Sequence, residues 1–74
     1  MVPSRTDPRW GKLVDAPSAG TYQSLALRIM MQRISMTVKR GMSASDRVSV
    51  IDEVHAYFVK NERLVAADLQ SIFG

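Results

Sequence analysis

Few side chains in this 74-residue sequence could support catalysis, and they are scattered. The one histidine, His55, lies three residues after Asp52, a spacing that makes the two neighbours on a helix surface. In such a pair Asp52 could orient His55 as a general base. No Gly-x-Ser-x-Gly elbow, however, presents a nucleophile to that base. We therefore predict that His55 is a structural side chain, that no residue is catalytic and that the protein is not an enzyme.

Patterns that bind metals or phosphates are also missing. The sequence has no cysteine, and one histidine with dispersed carboxylates supplies neither a zinc site nor the loop spacing of a calcium site. The four glycines are isolated from one another, so neither a dinucleotide-binding motif nor a P-loop is present. The sequence predicts no metal, no cofactor and no small-molecule substrate.

Basic residues near a tryptophan raise nucleic-acid binding as an alternative function. Residues 1–40 carry seven basic and two acidic side chains, whereas residues 41–74 carry three basic and five acidic ones, for a net charge of +3. Cations contact phosphates, and an aromatic ring stacks on bases. The candidates for such contacts are Arg5, Arg9, Lys12, Arg28 and Lys39. Acidic residues in the last predicted helix argue against helix-turn-helix recognition.

The elements that must position these side chains are an arm and three helices. We expect residues 1–20 to form an extended arm, because Pro3, Pro8 and Pro17 restrict both their own backbone and the preceding residue. The rest of the chain, 21–74, has no strand pattern. Its apolar periodicity predicts an all-α, three-helix bundle with helices at about 21–40, 44–60 and 62–73.

Local signals mark where these helices begin and end. Thr21 is the predicted cap of the first, and Gly41 is the predicted left-handed residue that ends it. Ser43 is the predicted cap of the second, which Asn61 ends as a second left-handed residue. The third begins at Glu62 or only after Leu64 (boundaries of this kind shift by a few residues).

A short helical turn is expected inside the arm itself. Asp7 followed by Pro8 is typical of a helix start, and the turn would run to about Val14. Trp10 and Leu13 would then lie on one side of it. A disordered tail has no physical reason to carry a tryptophan, so we expect Trp10 to dock on its own bundle or on a partner.

The first predicted helix has more apolar surface than a small bundle needs. On a helical wheel its apolar side chains form two stripes. One consists of Leu27, Met31, Ile34 and Val38, and the other of Tyr22, Leu25, Ile29 and Met36. A bundle helix needs a single apolar face, so the second stripe is predicted to contact another protein or a second copy of this chain.

These observations predict a noncatalytic helical protein-interaction module, such as a small accessory subunit or adaptor. The predicted contact residues are Arg9, Trp10, Leu13, Tyr22, Leu25, Ile29 and Met36. With Trp10 as the anchor, Trp10→Ala should weaken partner binding by more than ~2 kcal/mol and leave the bundle helical. Loss of the fold would instead place Trp10 in the core of the chain.

The expected location is the cytoplasm, without membrane contact. No apolar run approaches the 18 or so residues that cross a bilayer, and the polar N-terminus lacks the apolar segment of a signal peptide. The absence of cysteine is compatible with a reducing compartment.

Overall fold

The first helix forms inside the segment predicted to be an extended arm. In the computed structural model, which describes residues 1–16 and 22–74, α1 spans Pro8–Asp15. The Asp7 side chain caps it by accepting a hydrogen bond from the backbone N–H of Arg9 at 2.9 Å. Pro8 stands in the first turn, where its missing N–H costs no hydrogen bond. The start predicted at Asp7 is confirmed.

The second helix, α2, spans Leu25–Arg40 and starts later than predicted. Ser24 is its cap, with the side-chain oxygen accepting from the N–H of Leu27 at 3.4 Å. The predicted cap Thr21, like residues 17–20 of the predicted arm, lies outside the described residues. The predicted end is confirmed: Gly41 has a φ of +93°, which favours glycine, and its N–H donates to the carbonyl of Val38.

The third helix, α3, spans Ala44–Lys60, as predicted. The Ser43 hydroxyl accepts from the N–H of Asp46 at 3.2 Å and so caps the helix. At the other end Asn61 is not left-handed, since its φ is −118°. Its backbone N–H and its side-chain Nδ2 both donate to the carbonyl of Tyr57, at 3.0 and 3.1 Å.

The fourth helix, α4, spans Ala66–Phe73 and is shorter than the predicted 62–73. Residues 61–65 form turns, with the N–H groups of Leu64 and Val65 both bonded to the carbonyl of Asn61. Val65, the residue before the helix, has no side-chain oxygen that could act as a cap. The helix therefore begins at Ala66, directly after the turns of residues 61–65.

The described residues thus form four helices and no strands, rather than a three-helix bundle with an extended arm. Trp10 explains the difference, because its ring is fully buried and belongs to the core. Ring centroids of Phe58 and Phe73 lie 5.2 and 4.7 Å from it. The buried apolar set is Trp10, Leu13, Val14, Tyr22, Leu27, Met31, Ile34, Val54, Phe58, Val65 and Leu69. Helix α1 is therefore part of the domain.

Polar contacts satisfy the buried indole of α1 and tie the helix to α3. The Trp10 Nε1 donates to the carbonyl of Ser4 at 2.9 Å, so its buried N–H is satisfied. The Arg47 guanidinium reaches back from α3 to bind both carboxylate oxygens of Asp15, at 2.8 and 3.0 Å. Gly11 is buried under that guanidinium, and a Cβ at this position would collide with it.

Candidate partner-binding surface

The two apolar stripes predicted on α2 have different environments. Leu27, Met31 and Ile34 are buried and face the core. Three residues of the second stripe, Leu25, Ile29 and Met36, are exposed by 67%, 61% and 52%. At 100° per residue they fall within about 40° of one another, roughly opposite the buried side chains. We call Leu25, Ile29 and Met36 the exposed row.

A carboxylate from another helix fixes the start of α2. Asp68 of α4 is only 2% exposed, and its two oxygens accept hydrogen bonds from the N–H groups of Gln23 and Ser24, at 2.7 and 3.1 Å. These N–H groups lie immediately before the first turn of α2, at the positive end of its dipole, where a negative charge is favourable. Asp68 thereby ties α2 to α4.

Further contacts connect the same end of α2 to its surroundings. The Ser24 hydroxyl lies 3.3 Å from the hydroxyl of Tyr57 on α3. One turn into the helix, the Arg28 Nε donates to the carbonyl of Tyr22. Because α3 and α4 both hold this end, the side of α2 that carries the exposed row is turned away from the core.

Sequence reasoning missed the role of Asp68, although a signal for it exists. The apolar face of the last helix is formed by Val65, Leu69 and Ile72. Asp68 stands at the helical spacing of these residues, three after the first and four before the last, so it occupies a core position. A carboxylate on an apolar face is expected to have hydrogen-bond partners, since burying it unpaired is costly. Which backbone it caps depends on the tertiary structure.

The residues predicted to contact a partner do not form one surface. Trp10 and Tyr22 are 0% and 5% exposed and pack within the chain's own core, as does Leu13. A buried side chain offers no area to a partner in this conformation, so Trp10 is not placed as a surface anchor. Leu25, Ile29 and Met36 form the exposed row on the other side of α2.

The predicted contact residue Arg9 binds its own chain. Its guanidinium pairs with the Asp7 carboxylate at 2.8 Å, donates to the carbonyl of Phe73 at 2.9 Å and lies over that ring, 5.2 Å from its centroid. The hydrogen bonds from Arg9 lower the pKa of Asp7 from 3.8 to about 2. The same pair raises the pKa of Arg9.

The residues proposed for nucleic-acid contact are likewise dispersed. Arg5 donates to Asp52 at 2.7 Å, and this hydrogen bond raises the pKa of the arginine. Lys12 on α1 is exposed, as are Arg28 and Lys39 on α2. The arm cations that sequence reasoning grouped around Trp10 therefore do not form a basic strip with an accessible ring.

His55 packs against Trp10, with ring centroids 5.5 Å apart and the ring planes nearly perpendicular. Asp52, its expected neighbour on the helix, binds Arg5 instead. Among residues 1–16 and 22–74, no three His, Asp or Glu side chains are grouped as metal ligands would be. An open pocket lies at the end of α4, lined by Met1, Glu62, Arg63, Ala66, Leu69, Gln70, Phe73 and Gly74.

These features define a small all-helical domain with an exposed apolar row on its second helix. No protein-family model, no curated protein and no solved structure matches the chain. Over the described part of the sequence, none of the four helices is both long and apolar enough to cross a membrane.

Proposed function

We propose that this protein is a noncatalytic interaction module that binds another protein through the exposed row of α2. The single observation that carries the proposal is the exposure of Leu25, Ile29 and Met36, by 67%, 61% and 52%, side by side on one helix. Exposed apolar side chains are ordinary when scattered, but a contiguous group marks an interaction surface. We further propose that the module acts in the cytoplasm.

The dimensions of the row suit a helical partner. Leu25 and Met36 are eleven residues apart, which corresponds to about 16 Å along a helix. Their spacing to Ile29 is four and seven residues, and Gln32 stands at the remaining position of the 4-3-4 pattern. This is the spacing with which one helix packs along another in a coiled coil.

In this proposal Trp10 has a structural role and is not the anchor that contacts the partner. The ring is fully buried against Phe58 and Phe73 and so supports the domain that presents α2. Direct contact with the partner is assigned to the exposed row. The Arg9 guanidinium, about half exposed, pairs with Asp7 rather than forming the rim of a tryptophan anchor.

The test places a photo-crosslinking amino acid at Gln32, which is exposed between Ile29 and Met36. Ala56, exposed on α3, is the control position. In native cells we expect a discrete crosslinked protein from position 32 and none from position 56. Purified, that protein should bind the wild-type chain at least ~10-fold tighter than a Leu25→Gln/Ile29→Gln/Met36→Gln variant. Equal binding by both chains would refute the proposal.

Nucleic-acid binding is the alternative proposal, supported by the exposed cations Lys12, Arg28 and Lys39. Phosphate contacts release counterions, so such binding weakens steeply as salt rises, whereas apolar docking changes little. A fluorescent single-stranded oligonucleotide and a duplex titrated at low and high salt discriminate the two. Tight binding that is lost in salt and is unaffected by the triple Gln variant would favour nucleic acid.

A further inference from the structure

The charges that α2 itself carries beside the exposed row are all of one sign. Helix α2 carries Arg28, Arg33, Lys39 and Arg40 and no acidic residue. On the helical wheel Arg28 and Lys39 fall on one side of the row, and Arg33 and Arg40 on the other. A helix that packs along the row would therefore meet cations on both flanks.

The chain's own carboxylates pair with a cation on only one flank. Arg33 pairs with Glu53 of α3, whereas Arg40 on the same flank takes part in no ion pair within the described residues. In the described parts of the chain no carboxylate lies within ion-pair distance of Arg28 or Lys39.

Most of the remaining carboxylates are engaged elsewhere, and Asp46 lies in the first turn of α3. The acidic partners in the other ion pairs are Asp7, Asp15, Asp52 and Glu62. Asp68 is the acidic group at the N-terminus of α2, and both of its oxygens are bonded to backbone N–H groups. Arg28 and Lys39 are exposed and have no carboxylate partner within the described residues, so both are available to acidic side chains of a partner.

We infer that the occupant of the exposed row is an amphipathic helix of another protein whose acidic side chains face Arg28 and Lys39. This inference rests on the proposed function and specifies the partner's chemistry. The apolar side of the partner packs on Leu25, Ile29 and Met36. Its Asp or Glu residues occupy the flanking positions, where opposite charges set partner choice and orientation in paired helices.

The same charges disfavour a second copy of the chain as the occupant. A two-fold interface packs one surface on itself, so α2 against α2 would bring cations next to cations. A lipid surface is disfavoured for a different reason. Interfacial helices insert a broad apolar face, usually with aromatic residues, whereas this row has three aliphatic or thioether side chains within about 40°.

The test uses the full chain and two designed helical peptides of about 21 residues. Both have Leu at the core heptad positions, and they differ only in having Glu or Lys at every flanking position. At about 0.05 M salt the Glu peptide should bind at least ~10-fold tighter than the Lys peptide. The preference should shrink at about 0.5 M salt, because screening shortens the range of the interaction.

Reversing the charges of Arg28 and Lys39 makes the test specific to their side of the exposed row. The Arg28→Glu/Lys39→Glu variant should prefer the Lys peptide. The control variant Lys12→Glu/Lys60→Glu has the same net charge, with both changes at exposed positions on other helices, and should keep the wild-type preference. The inference fails if both peptides bind equally, if neither binds, or if the two variants behave alike.

Other occupants would be recognised by their own signals. A dimeric molar mass with Gln32 crosslinked to a second copy would overturn the inference in favour of self-association. Stronger binding to vesicles containing phosphatidylserine than to the Glu peptide would overturn it in favour of a lipid surface. Crosslinking at Gln32 and the triple Gln variant decide the proposed function separately, since neither depends on the charges of the partner.

Discussion

At the residue scale, Asp68 is a buried structural side chain whose role sequence reasoning left unassigned. The buried Asp68 accepts two backbone N–H groups at the start of α2 and thereby links helices that are more than 40 residues apart in the sequence. The orientation of the exposed row thus depends on a residue on another helix.

Removing this carboxylate should cost more than removing an exposed one. In Asp68→Ala, two N–H groups at a half-buried position lose their acceptor, and we expect the free energy of unfolding to fall by about 2 kcal/mol. Urea denaturation followed by circular dichroism measures the change. Asp46→Ala, in the exposed first turn of α3, is the control and should cost less than ~1 kcal/mol. Similar losses for the two variants would contradict the role assigned to Asp68.

The Asp7 carboxylate should make the free energy of unfolding depend on pH in the acidic range. Its pKa is about 2 in the folded chain against an ordinary value of 3.8, mainly because the Arg9 side chain hydrogen-bonds the carboxylate. A lowered folded-state pKa stabilises the fold above about pH 4, and this contribution is lost as the pH falls through 2. The side-chain hydrogen bond from Arg47 likewise lowers the pKa of Asp15.

The measurement is the free energy of unfolding in urea between about pH 6 and pH 2. Asp7→Asn keeps a side-chain oxygen for the cap but removes the titrating charge. We expect this variant to be less stable than wild type near pH 6, with the difference shrinking toward pH 2. A difference that stays constant with pH would show that the Asp7 charge makes no contribution.

At the element scale, the starts of α1 and α3 could be predicted from the sequence, whereas the role of α1 could not. Ser43 before α3 and Asp7 before α1 cap their helices through hydrogen bonds to N–H groups two or three residues away. Such contacts are local and can be read from neighbouring residues. The role of α1 is not local, since its burial depends on rings from α3 and α4.

Trp10→Ala tests whether α1 belongs to the domain. Deleting a fully buried indole should cost about 3–5 kcal/mol. This is a large part of the roughly 4–11 kcal/mol expected for a chain of this size. We expect loss of cooperative thermal unfolding, monitored by far-ultraviolet circular dichroism. Trp10→Phe, which keeps an aromatic ring, should lose less, and an unchanged transition in Trp10→Ala would return the side chain to the role of partner anchor.

At the scale of the whole molecule, folding and binding should be separable. The four helices bury one stripe of α2 and leave the exposed row outside the core. Side chains that contribute little to folding can be changed without unfolding the chain. Binding through the exposed row can therefore be tested without changing the stability of the domain.

The Leu25→Gln/Ile29→Gln/Met36→Gln variant tests this separation. Because all three side chains are more than half exposed, we expect the free energy of unfolding to stay within about 1 kcal/mol of wild type. Val54→Ala, at a fully buried position of α3, should instead cost at least ~1 kcal/mol through the cavity it leaves. Urea titrations of the three chains give the comparison. A large loss in the triple variant would mean that the row packs within the folded chain.

By itself, the sequence determined the helical class, the positions of α2 and α3 to within a few residues, and the start of a helix at Asp7. These depend on apolar periodicity and on caps, which act between residues a few positions apart. It also identified two stripes on one helix, with Leu27 on one and Ile29 on the other. It could not assign which residues of the second stripe stay exposed, because burial depends on what packs against them.

Only the tertiary structure decided which residues of the second stripe stay exposed. Trp10 and Tyr22 enter the core with the stripe of Leu27, while Leu25, Ile29 and Met36 remain outside it. The deciding contacts join distant parts of the chain: the Trp10 ring against α3 and α4, and the Asp68 carboxylate at the N-terminus of α2. A helical pattern specifies that apolar faces exist, and long-range packing specifies which of them are buried.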